Sequence, residues 1–149
     1  MSSDPIGRPI EILLVEDSLD DAHLTFEAFK TGDVPHRLTW LRDGQDAMEF
    51  LVRRGRFARA PRPDLILLDL GLPGKDGREV LTEIKTDEDL REIPVVIMTA
   101  SKAHEDIVRS ELLQVESYVT KPVDMDKFLS IIRELKQYLH ADLMLPFAD

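Results

Sequence analysis

Apolar residues fall along the chain in short runs of strand length, separated by stretches of helical period. The run IEILLV at 10–15 is rich in β-branched residues and ends in Glu16-Asp17. Ser18 then suits a helix N-cap, with Asp21 three residues on standing in for the acid of a capping box. Positions 19–30 carry Ala22, Phe26 and Phe29 at helical spacing, and Gly32 ends them. A second strand is predicted over 37–41, a turn at Asp43-Gly44, and a helix over 45–54 with Ala47, Phe50 and Leu51 inward. The unbroken run LILL at 65–68, closed by Asp69, reads as a strand buried on both faces of a parallel sheet. A helix over 77–85 follows, then a buried strand over 94–98 closed by Thr99. The remaining predictions are a short helix over 105–113, a strand over 117–120 leading to Lys121-Pro122, and a helix over 125–139.

This is a β–α unit repeated five times. It predicts an α/β fold of flavodoxin-like (βα)5 type, a doubly wound parallel sheet with helices on both faces. Residues 9–140 form that domain, with an N-terminal arm at 1–8 and a C-terminal tail at 141–149. Ligands of such sheets bind beyond the carboxyl ends of the strands. Glu16-Asp17, Asp69, Thr99 and Lys121 all stand there.

Composition narrows the chemistry. The chain has 149 residues, no cysteine, and a formal net charge of −10. Thiolate metal sites and disulfides are excluded, and general nucleic-acid binding is disfavoured. The start has no apolar signal-like run, and no stretch approaches the roughly 18 apolar residues of a membrane span. A cytoplasmic protein without membrane or nucleic-acid partners is expected.

A lone aspartate at a strand end is usually a turn or cap residue, and a lysine before proline is usually a loop residue. Together on one sheet edge they suggest more. Glu16, Asp17 and Asp69 offer hard oxygen ligands for Mg²⁺ (or Mn²⁺), which takes one or two carboxylates and phosphate oxygens. Asp69 could act as a nucleophile forming an acyl phosphate, with the Lys121 ammonium and the Thr99 hydroxyl stabilising the phosphoryl oxygens. No organic cofactor is expected.

Four motifs in order, LLVEDS (13–18), LILLDLGLPGKDG (65–77), VVIMTAS (95–101) and YVTKP (118–122), resemble the receiver domains of two-component signalling. The resemblance spans about residues 9–140. It implies a stand-alone response regulator that takes a phosphoryl group from a sensor histidine kinase onto Asp69, and that catalyses its own phosphorylation and dephosphorylation rather than acting as a conventional enzyme. It implies Asp17 as a direct metal ligand, Glu16 as the adjacent acid, the Gly71 carbonyl as a backbone ligand, Thr99 as the switch hydroxyl, Lys121 as the phosphate-pairing lysine and Tyr118 as an aromatic that changes rotamer. It also implies a cis Lys121-Pro122 bond and a homodimer through the face of helix 4, strand 5 and helix 5, including Val108, Leu112 and Tyr118. A ring packed beside the last strand explains Tyr118 equally well. Gly71 departs from the larger residue often found there, which would admit an attacking water. The segment ARAPRPDLILLDL (58–70) and the tail LMLP (143–146) resemble the small regulators that serve phytochrome kinases.

Three other readings compete. A haloacid-dehalogenase-type phosphatase needs a second aspartate where Gly71 stands. A flavodoxin-like cofactor binder needs a Gly/Ser/Thr-rich loop where EDSLDD stands. A phosphorylation-independent receiver-like binding module does not need the intact set of acids, hydroxyl and lysine.

Overall fold

The computed structural model describes residues 9–31, 35–72, 74–99 and 117–121, with single positions 106, 115, 126 and 130. Its order is β1 (Ile10–Val15), α1 (Leu19–Thr31), β2 (His36–Leu41), α2 (Gly44–Leu51), a 3-10 turn (Gly55–Phe57), β3 (Leu65–Asp69), α3 (Gly77–Thr86), β4 (Val95–Thr99) and β5 (Ser117–Thr120). The five strands make one sheet in the order β2-β1-β3-β4-β5, and every pairing is parallel.

Every residue of β3 and of β4 is buried, as an unbroken apolar strand requires. Successive side chains feed two cores. Ile12, Leu14, Leu65, Leu67, Val96 and Met98 join Ala22 and Phe29 of α1 on one face. Leu13, Val15, Ile66, Leu68, Val95 and Ile97 meet Ala47 and Phe50 of α2 and Val80 and Ile84 of α3 on the other. Helices therefore cover both faces, and each fully buried Leu or Ile stabilises the fold by about 1.5–3 kcal/mol before entropy is counted.

Local signals set the helix starts. Ser18 Oγ accepts from the Asp21 N–H at 3.2 Å, so the N-cap is as predicted. The reciprocal half of the capping box is replaced, because the Asp21 carboxylate reaches Lys121 instead. Asp43-Gly44 is a helix start rather than a free turn: Asp43 Oδ1 accepts from the Asp46 N–H at 2.8 Å. A Cβ at Gly44 would drive into the Lys75 carbonyl, so that entry point needs glycine. The second helix is shorter than the predicted 45–54. Arg53 turns to φ 57°, the left-handed region, and ends it after Leu51. Pro94 stays outside β4 because it has no N–H to give the ladder; its carbonyl accepts from Ile66 at 3.0 Å.

Apart from the helical single positions 106, 126 and 130, the helices predicted over 105–113 and 125–139 fall outside the described residues, as do the Lys121-Pro122 bond, Gly32, Val108, Leu112 and the tail. No described helix is long and apolar enough to cross a membrane.

Candidate functional site

Register brings the site together. Val15 pairs with Leu68, so the next residues, Glu16 and Asp69, end neighbouring strands side by side. Asp69 pairs with Met98, which puts Thr99 just beyond, and Thr99 is in register with Thr120. The Lys121 N–H donates to the Thr99 carbonyl at 3.2 Å, so the lysine leaves the sheet beside the end of β4.

Carboxylate oxygens of Glu16, Asp17 and Asp69 lie within 4.8 Å of one another. Three such hard donors at one point match the needs of a divalent cation, so the three carboxylates fit such an ion. Glu16 is completely buried, whereas Asp17 is half-buried and open to an incoming ion. Lys121 Nζ stands 2.5 Å from Glu16 Oε1, 3.0 Å from Asp21 Oδ2 and 3.1 Å from Asp69 Oδ2. Asp69 Oδ1 accepts from the Gly71 N–H at 2.9 Å. This holds the Asp69 carboxylate with one oxygen toward its own loop and the other toward the lysine.

Charge crowding shows in the titration of the site. Burial pushes the Glu16 carboxyl up to about 7; Lys121 pulls it back, while Asp69 pushes it further. Burial alone would lower the Lys121 ammonium, but Glu16, Asp69 and Asp21 outweigh it and raise it above the usual lysine range.

Two features escaped the sequence. Asp21, read as a cap substitute, is an ion-pair partner of Lys121. The acid pair is also held from the side by β2 and its end. Trp40 Nε1 donates to the Glu16 carbonyl at 2.7 Å, and Arg42 donates to the Asp17 carbonyl at 3.0 Å. The Arg42 guanidinium also lies over the Trp40 ring, 5.4 Å from its centroid. These residues lie more than twenty positions from the acids, and no short motif links them. Tyr118 is half-buried and packs against the α2/α3 core, as a ring beside the last strand should.

The chain is similar in sequence and fold to known proteins. The model of the response regulator receiver domain matches residues 12–133. Response regulator Rcp1 of Synechocystis sp. is 44% identical over 146 residues, covering 98% of this chain and 99% of its own. Its Mn²⁺-bound crystal structure superposes with a TM-score of 0.74 at 45% identity, over 93% of this chain and 99% of that one. The bacteriophytochrome response regulator RtBRR superposes with a TM-score of 0.80 at 40% identity, over 85% and 78% of the two chains. With the fold, the strand-end acids and the lysine in place, this chain belongs to the response regulator receiver domain family.

Proposed function

We propose that Asp69 is the phosphoacceptor of this response regulator and that a phytochrome-type sensor histidine kinase supplies the phosphoryl group. The observation that carries this is the Lys121 ammonium 3.1 Å from Asp69 Oδ2, at a strand end shared with two further acids. In the transfer, an Asp69 oxygen forms a new P–O bond as the bond from phosphorus to the donor breaks, and the bonding pair leaves with the donor. Lys121 neutralises charge on the phosphoryl oxygens, and Thr99 donates its hydroxyl to one of them. Mg²⁺, held by Asp17, Asp69, the Gly71 carbonyl and Glu16, would screen the acids from the incoming anion.

Chain position supports a switch: Thr99 closes β4 and Tyr118 lies on β5, the strand that leads to Lys121, and both would report the new charge to the surface. Output runs through a homodimer on the face of helix 4, β5 and helix 5, in the cytoplasm, with residues 9–140 as the working domain. The similarity to the bacteriophytochrome response regulator RtBRR, over 85% of this chain and 78% of that one, supports the phytochrome assignment.

Intact-mass spectrometry after incubation with acetyl phosphate tests the chemistry. One phosphoryl adduct is expected, lost with EDTA and lost in Asp69→Asn. An adduct that survives in Asp69→Asn rules out the assignment. Failure of the wild type to take up both Mg²⁺ and beryllofluoride points instead to a phosphorylation-independent binding module.

A further inference from the structure

Lys121 has more carboxylates around it than its role toward a phosphoryl group requires. Glu16 and Asp69 belong to the oxygen cluster suited to a divalent cation, but Asp21 does not. A cation drawn onto that cluster would compete with the ammonium for Glu16 and Asp69 and repel it. A lysine side chain has four rotatable bonds and swings away at little cost. Some group outside the cluster must hold it.

We propose that Asp21 is that group: a positioning residue that keeps the Lys121 ammonium beside Asp69 when a divalent cation occupies Glu16, Asp17 and Asp69. The inference rests on the phosphoacceptor reading above. Asp21 is placed for this by its own backbone. Its N–H is tied to Ser18 Oγ and its carbonyl accepts from Thr25 Oγ1 at 3.1 Å, so the first turn of α1 fixes its Cα. Its carboxylate does no capping work and reaches Lys121 Nζ at 3.0 Å, across 100 residues of sequence. It is partly exposed, at 29%, whereas the lysine is 9% exposed, so the pair sits at the rim between the buried acids and solvent. Losing Asp21 leaves the ammonium with two partners, both of them claimed by the cation.

Two measurements test this. The first is chemical labelling of Lys121 by acetic anhydride, read by peptide mass mapping with and without saturating Mg²⁺. In the wild type, Mg²⁺ leaves the labelling rate of Lys121 unchanged. In Asp21→Asn, Mg²⁺ raises it about tenfold, the scale of one charge-assisted hydrogen bond. Asp21→Glu restores the wild-type behaviour. Labelling in Asp21→Asn that ignores Mg²⁺ overturns the proposal. The second is the rate of phosphorylation by acetyl phosphate at saturating Mg²⁺. Asp21→Asn slows it about tenfold when Lys121 is present and adds nothing in a Lys121→Met background. Equal slowing in both backgrounds shows that Asp21 acts independently of the lysine, and the proposal fails. If the wild type itself takes no phosphoryl group, the phosphoacceptor reading falls, and the labelling result still decides the role of Asp21.

Discussion

The two ends of β3 carry the same residue type at the same burial. Asp64 precedes the strand and Asp69 closes it, and each is 6% exposed. At the amino end, Asp64 Oδ2 accepts from the Glu11 N–H at 2.8 Å, and the Asp64 N–H returns a bond to the Glu11 carbonyl at 2.7 Å. That carboxylate is tied to fixed backbone and stitches β1 to β3. At the carboxyl end, Asp69 shares one side-chain ammonium with Glu16 and Asp21 and stands beside Asp17. A buried acid satisfied by backbone is a structural part. A buried acid facing other acids and a side-chain cation keeps a charge imbalance that a ligand can relieve.

The sharpest way to break this contrast is Asp69→Asn. It should remove the phosphoryl adduct entirely while leaving the melting temperature unchanged or higher, because it relieves repulsion with Glu16. A clear drop in melting temperature would make Asp69 a structural acid like Asp64.

Glu16 provides the next largest effect. Its carboxyl is raised from 4.5 to about 7, so the folded state holds its proton more tightly than the unfolded chain does. That contribution is fully present below 4.5 and disappears as pH rises through about 7. Relative to Glu16→Gln, the wild type should therefore lose stability between those limits, by up to about 3 kcal/mol. Parallel pH profiles of denaturant unfolding for the two proteins would contradict the assigned crowding.

Asp64→Ala should cost about 1–3 kcal/mol, the penalty of leaving a buried Glu11 N–H without its acceptor. Adduct formation should persist in the folded fraction. Denaturant titration and intact mass check both halves, and loss of the adduct in folded protein would blur the distinction between the two ends.

The smallest effect lies beside Asp69. A Cβ at Gly71 would sit 3.7 Å from Asp69 Oδ1, with no other non-adjacent atom of the described residues within 4 Å, so a side chain there fits and overhangs that carboxylate. Gly71→Asn should lengthen the phosphoryl lifetime about threefold, a barrier change under about 1 kcal/mol. An unchanged lifetime would remove the idea that Gly71 admits the attacking water.

Much of this was legible in the chain because it is local. LILL before Asp69 announces a strand with both faces covered, and apolar runs alternating with helical stretches leave few topologies open. Strand ends in a parallel sheet share one edge, so Glu16, Asp17, Asp69, Thr99 and Lys121 could be placed together before any distance was known. Boundaries were less legible where a backbone choice decided them, as at Arg53, whose left-handed turn no residue type advertises.

The sequence by itself determined the sheet, its buried strands and the five residues of the carboxyl edge, since periodicity and strand-end position depend on neighbours in the chain. Only the tertiary structure decided that Asp21 faces Lys121 rather than its own helix, that Trp40 and Arg42 hold the carbonyls of the acid pair, and that Asp64 meets backbone where Asp69 meets side-chain charge. Those outcomes depend on which side chains meet across strands and helices, and contacts made at long separation leave no periodic trace in the order of residues.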